Sequence, residues 1–191
     1  MASDEAGLYP LFLKLEGRAV LVVGAGAVAE RKIATLVAAG ARVRVVAPDA
    51  TEAVRRLARE GTVEWHARAF EEEDADGAWL VIAATSDPHA QRLAAAAAQS
   101  RRAFIVAVDD PANASAYSAA VVERPPLTVA ISSSGATPAL TRLLREIIEQ
   151  LLPGEEWVEH AKRLREAWRA DGTPMASRFA EIVKAFKERA E

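Results

Sequence analysis

Residues 20–32, Val-Leu-Val-Val-Gly-Ala-Gly-Ala-Val-Ala-Glu-Arg-Lys, constrain the fold of this chain more than any other segment. An apolar run enters a glycine turn and leaves it as a helix. Gly24 permits a tight turn, Gly26 lets the backbone approach a pyrophosphate, and Ala29 is small enough for the helix to pack on the strand. This is the G-x-G-x-x-G/A logic of dinucleotide sites, in which the pyrophosphate sits on unpaired amides at the helix N-terminus.

The flanking sequence supplies the context that the glycines need. Residues 18–23 read as a mostly apolar strand, and the next helix puts Ala29, Ile33, Leu36 and Val37 on one face before stopping at Gly40. A second apolar run, 43–47, ends in Pro48-Asp49 and completes a β-α-β unit of about the usual ~30 residues. Folds that use NAD carry an acid at the tip of the second strand, where it accepts from the ribose 2′-hydroxyl. Ala47 and Pro48 stand at that tip, and Asp49 follows. Asp49 either reaches the ribose or caps the helix expected over 51–60. No lysine or arginine cluster marks a 2′-phosphate, so NAD rather than NADP is the expected cofactor.

Strand and helix keep alternating to about residue 110, which predicts a parallel sheet with helices on both faces. The further strands are 62–66, 78–85 and 104–108, and a helix runs from Ser86-Asp87-Pro88 to 100 with Asp87 as its N-cap. Ligands of such sheets bind beyond the carboxyl ends of the strands, so Gly24, Pro48, Thr85 and Asp109 are expected to converge on one crevice. There a partly desolvated Asp109 can act as a general base or hold a cation. Its structural alternative is to support the turn before Pro111.

Past Pro111 the pattern changes. Residues 119–123 and 127–132 read as two strands around Arg124-Pro125-Pro126, and a strand pair of this size needs a partner surface, for which a second copy of the chain is expected. The loop Ser132-Ser133-Ser134-Gly135-Ala136-Thr137-Pro138 either grips an anionic group or is an ordinary connector. It leads into a helix capped by Thr137, with Leu140, Leu143, Leu144, Ile147, Ile148, Leu151 and Leu152 in one stripe. Trp157, Ala161, Leu164 and Trp168, and then Phe179, Ile182, Val183 and Phe186 beyond Gly172-Thr173-Pro174, form two helical faces expected to be core. The expected organisation is a dinucleotide-binding Rossmann-like domain over 1–112, a small dimerisation segment over 113–150 and a C-terminal helical domain over 151–191.

Composition removes several function classes. The chain has no cysteine, which excludes disulfides, thiol catalysis and cysteine-held clusters. A net charge of -3 with both signs interspersed leaves no footprint for nucleic acid. Although 51% of the residues are hydrophobic, no run reaches the ~18 to 20 apolar residues of a membrane span. The acidic start Met1-Ala2-Ser3-Asp4-Glu5 lacks the order of a signal peptide, so a cytoplasmic protein is expected.

Taken in order, Tyr9-Pro10-Leu11-Phe12-Leu13-Lys14-Leu15, the run from Val20 to Lys32, Gly40-Ala41 and Val45-Val46-Ala47-Pro48 resemble the precorrin-2 dehydrogenase family of sirohaem synthesis. Ala83-Ala84-Thr85, Val108-Asp109, Pro111, Ser115 and Ser132-Ser133-Ser134-Gly135 with Pro138, Leu143, Leu144 and Arg145 extend the likeness to roughly residues 8–152. The resemblance implies NAD-dependent oxidation of precorrin-2 to sirohydrochlorin by a homodimer whose middle segment makes the dimer contact. It implies that Asp109 is catalytic, as the base that removes a macrocycle proton, and that Ala27, Val28, Pro48 and Asp49 contact NAD, with Thr85 in the same crevice. It assigns Ser133, Ser134 and Ser115 to the tetrapyrrole, and Ser133 is phosphorylated in related proteins. Some members also insert ferrous iron or cobalt at the site of Asp109. The family's aromatic and proline after the aspartate loop are here Ala116 and Ala119, with Tyr117 the nearest aromatic.

An NAD-sensing Rossmann module without catalysis explains the glycine turn equally well, but leaves Asp109 and residues 132–135 without a purpose. A short-chain reductase needs Tyr-x-x-x-Lys, and Val121 stands four residues after Tyr117.

Overall fold

A computed structural model describes residues 7–152 and 154–190, with side chains described to residue 185. The acidic segment 1–5 and the Phe186 side chain lie outside the described residues. The chain divides into two compact units, Met1–Ser118 and Ala119–Glu191. Alternation ends near residue 112, yet the boundary falls later, because the chain turns back onto the edge of the sheet. There the Ser115 and Ala116 amides both donate to the Ile105 carbonyl at 2.9 Å.

The first unit contains β1 (Ala19–Val23), α1 (Ala27–Ala38), β2 (Arg42–Val46), α2 (Glu52–Arg59), β3 (Glu64–His66), β4 (Leu80–Ala83), α3 (Pro88–Ser100) and β5 (Phe104–Ala107). Its five strands form one parallel sheet in the order β3-β2-β1-β4-β5. The order reverses between β1 and β4, which is the switch point where such sheets open a crevice. Register makes that crevice possible. Val23 pairs with both Val46 and Ala83, and Ala83 pairs with Ala107, so four strands end level and their loops emerge along one edge.

Burial explains the apolar runs. Every residue of β4 is buried, as a central strand covered on both faces requires. Val20, Val22 and Val45 pack with Ala29 and Ile33 of α1 and Val54 of α2, while Leu21, Val81 and Ala83 pack with Ala94, Ala97 and Ala98 of α3. Thr51, not Asp49, caps α2, accepting from the Val54 amide at 3.3 Å. Between β3 and β4 the acidic stretch holds a short 3-10 turn, Glu72–Ala75. Its Asp74 is buried, with both carboxylate oxygens held by the Arg68 guanidinium at 2.6 and 2.8 Å.

The second unit contains β6 (Ala120–Arg124) and β7 (Leu127–Ile131), an antiparallel pair joined across a cis Pro125-Pro126 bond, then α4 (Pro138–Leu151), α5 (Glu155–Ala170) and α6 (Met175–Ala190). No residue of α4 is buried. The start of α4 departs from expectation, since Thr137 makes no side-chain cap; its own amide instead donates to the Ser133 hydroxyl at 3.2 Å. The two tail helices also differ from the expected core. Trp168 is buried, but Phe179 is 76% exposed and Ile182 and Val183 are only half-buried. Two helices cover one flank of each other and leave the rest of each apolar face outside. Among the described residues no helix is long and apolar enough to cross a membrane.

Candidate functional site

The site begins at the glycine turn. Gly24 has φ +103°, and a Cβ on it would lie 2.3 Å from the Ala84 carbonyl oxygen, so the turn after β1 lies directly against the loop after β4. The Gly24 amide donates to Val46 O at 2.9 Å, which ties the turn to β2 as well. Gly26 is the N-cap of α1 and offers no side chain to the first amides, Ala27 and Val28. A Cβ on Gly26 would meet no atom within 4 Å, leaving open space over a twelve-residue helix start. Uncapped amides facing open space fit a dinucleotide pyrophosphate.

Two adjoining clefts occupy the carboxyl edge of the sheet. One, of about 450 Å³, brings Gly24, Gly26, Pro48, Asp49 and Thr85 together. The other, of about 390 Å³, brings Val28, Thr85, Gln91 and Asp109 together. Ala84, Thr85 and Ser86 line both, so the expected convergence is realised across two connected hollows.

Asp49 is exposed and is held at one oxygen. Its Oδ1 accepts from the Ala50 amide at 2.8 Å and from the Arg55 guanidinium, and these two contacts, the amide first, keep its carboxyl below the usual carboxylate range. Oδ2 has no partner among the described residues. Arg55 also donates to Ala50 O at 3.0 Å and lies over the Trp65 ring, 5.7 Å from its centroid. Sequence reading found no lysine or arginine cluster to mark a 2′-phosphate; a single arginine, Arg55, reaches the second strand's tip from the first turn of α2.

Asp109 follows Val108, whose amide donates to Ala83 O at 2.9 Å. It occupies the left-handed region at φ +57°, which a non-glycine residue seldom adopts without a local reason. Its carboxylate is exposed rather than partly desolvated as expected. The turn-supporting role falls to its neighbour, as Asp110 Oδ2 accepts from Asn113 Nδ2 at 2.6 Å. Asp109 has no side-chain partner among the described residues.

Thr85 Oγ1 accepts from the Asp87 amide at 3.2 Å, at the foot of α3. Ser115 lies in neither cleft; its hydroxyl accepts from the Ile105 amide at 2.9 Å, beside the sheet edge. In the second unit, Ser133 Oγ also receives the Thr141 hydroxyl at 2.9 Å, and Ser134 has φ +53°. No group of three histidine, aspartate or glutamate side chains gathers among the described residues. Gln91 was missed by sequence reading, for a lone amide within an alanine-rich helix gives no signal there.

A glycine turn at the switch point, an uncapped helix start and an acid past the second strand define a Rossmann-type dinucleotide-binding unit. The model of an NAD(P)-binding family matches residues 11–120, and that of the sirohaem biosynthesis protein central domain matches residues 124–151. The chain belongs to this NAD(P)-binding family, in the form that siroheme synthases contain. Siroheme synthase 3 of Aeromonas hydrophila is 44% identical over 144 residues, covering 75% of this chain and 31% of that protein. Siroheme synthase 1 of Cronobacter sakazakii is 49% identical over 144 residues, with the same coverages of 75% and 31%. The chain thus spans about a third of the length of these relatives. The solved structure of SirC, a precorrin-2 dehydrogenase, is 22% identical and superposes with a TM-score of 0.77, covering 93% of this chain and 88% of that one. That likeness is one of fold.

Proposed function

We propose that the chain carries out the NAD-dependent oxidation of precorrin-2 to sirohydrochlorin, the dehydrogenation step of sirohaem biosynthesis. The observation that carries this reading is Asp109, an unpaired acid at positive φ that shares one cleft with Val28 and Thr85 beside the glycine turn. NAD+, when bound, supplies the acceptor for the hydride that leaves a saturated macrocycle carbon. Gly24, Gly26 and the amides of Ala27 and Val28 hold the pyrophosphate. Pro48 borders the adenosine side, and Asp49 Oδ2 accepts from the ribose hydroxyl. A 2′-phosphate would meet that carboxylate, which favours NAD over NADP.

Asp109 removes the proton that accompanies hydride loss, so one C–H bond yields its electron pair to the acceptor and another yields its proton to the carboxylate. The proton then passes to water. Ser133 and Ser134 are assigned to macrocycle carboxylates, whereas Ser115, outside both clefts, accepts from the Ile105 amide and holds the returning chain on the edge of β5. The working form is a homodimer built through α4 and the β6–β7 pair. Its support is the stripe of Leu140, Leu143, Leu144, Ile147 and Leu151, all exposed on the single chain.

The test is to incubate the purified chain with precorrin-2 and NAD+ and to follow sirohydrochlorin and NADH by absorbance. NADH binding without turnover would favour a sensing module instead. Ferrous or cobalt ion insertion, in which Asp109 would hold the incoming ion, is measured separately with sirohydrochlorin and the metal in the absence of NAD+.

A further inference from the structure

Gln91 stands near the start of α3 and is only 8% exposed. Its helix otherwise buries alanines, Ala94, Ala97 and Ala98, against the sheet. A buried amide is unfavourable unless bonded, and here Nε2 donates to Thr85 O at 2.9 Å and to Val108 O at 3.1 Å. Both partners are carbonyls, so chemistry fixes which end of the amide faces them. Oε1 is buried with no partner among the described residues. An apolar side chain of the same length would fill the space without stranding an acceptor, so what glutamine contributes here is the pair of donated bonds.

Those bonds join two functional loops. Thr85 follows β4 in both clefts, and Val108 directly precedes Asp109. The paired residues of β4 and β5 end at Ala83 and Ala107, and the Val108 amide adds one bond to Ala83. Beyond that bond, Gln91 is the side chain that ties the loop bearing Thr85 to the loop bearing Asp109. We infer that Gln91 is a positioning residue: it fixes the acid relative to the cofactor side of the cleft and acts on the reaction only through these two loops. This assignment rests on the proposed oxidation.

The test uses Gln91→Met, which keeps length and loses both bonds, and Gln91→Asn, which is one methylene shorter and reaches at most one carbonyl. In the cofactor-free protein, amide hydrogen exchange at residues 85–87 and 108–110 should accelerate in the Met variant and less so in the Asn variant. With precorrin-2 and NAD+, kcat should fall by about 10- to 100-fold in the Met variant, the scale of a small misplacement of reacting groups. Affinity for NADH should change far less, since the glycine turn is untouched. A Gln91→Glu variant should regain part of its activity as pH falls when compared with the wild type at the same pH, because only the protonated acid can donate, and to one carbonyl. Wild-type exchange and wild-type kcat in the Met variant would overturn the role of Gln91 while leaving the oxidation intact. No NADH from the wild-type protein would overturn the oxidation itself, and the exchange rates would still report whether the tie holds the loops.

Discussion

Gly24 and Ala84 approach so closely that a Cβ on the glycine would stand 2.3 Å from the Ala84 carbonyl oxygen and 2.8 Å from its carbon. The first glycine of the motif is therefore demanded by the protein's own backbone, where β1 and β4 meet at the switch point. The second glycine differs. Gly26 faces open space, and its lack of a side chain matters only to what binds there.

Gly24→Ala should accordingly damage the fold and Gly26→Ala the binding. At φ +103° an L residue is strained by about 1–3 kcal/mol before any clash is counted, so Gly24→Ala should lower Tm markedly. Gly26→Ala should melt close to the wild-type temperature yet bind NADH at least about tenfold more weakly, as steric loss of a pyrophosphate contact implies. Thermal denaturation beside a fluorescence titration with NADH separates the two effects.

The proposed preference for NAD rests on the ion pair between Asp49 and Arg55. Asp49→Ser would remove the acceptor for the ribose hydroxyl and release Arg55 toward a 2′-phosphate. The ratio of NADP to NAD affinity should rise by about tenfold or more. Asp49→Ser combined with Arg55→Ala should lose NAD affinity without that gain. Binding constants for both dinucleotides check the pair.

Asp74 supplies an acid-sensitive contribution to stability. Burial works to raise its pKa, but the Arg68 fork and the Glu71 amide outweigh it, and the group titrates below the usual carboxylate range. Its folded pKa therefore lies below the unfolded value of about 3.9, so its contribution is complete above that value and is lost as pH falls through the folded one. Asp74→Asn should cost about 1–3 kcal/mol near neutral pH. The gap between variant and wild type should narrow below about pH 4, as denaturant unfolding at several pH values would record.

The apolar stripe of α4 predicts self-association. Leu143 is 51% exposed and Ile147 43% on the single chain. Replacing both with glutamate should convert a dimer to a monomer in sedimentation equilibrium, with the first unit's secondary structure unchanged.

Much of the first unit was legible because its signals are local. The strand into Gly24, the face formed by Ala29, Ile33 and Leu36, and the cap by Asp87 each lie within a few residues of what they determine. What was not legible depends on contacts that sequence spacing conceals. Arg55 reaches Asp49 only once α2 has formed, and Gln91 matters only when β4 and β5 bring two carbonyls beneath it. The exposure of Phe179 depends on how little of each helix its neighbour covers, and Asp109, expected to be partly desolvated at the ligand edge, is exposed.

The most direct measurement of the central claim is the yield of NADH per sirohydrochlorin when precorrin-2 and NAD+ are mixed with the wild-type chain and with Asp109→Asn. The account predicts one NADH for each sirohydrochlorin in the wild type. In the variant, turnover should be slowed by about 10²-fold or more, as for loss of a general base, with NADH affinity preserved. Wild-type turnover in Asp109→Asn, or no NADH above an enzyme-free control with the native chain, would contradict it.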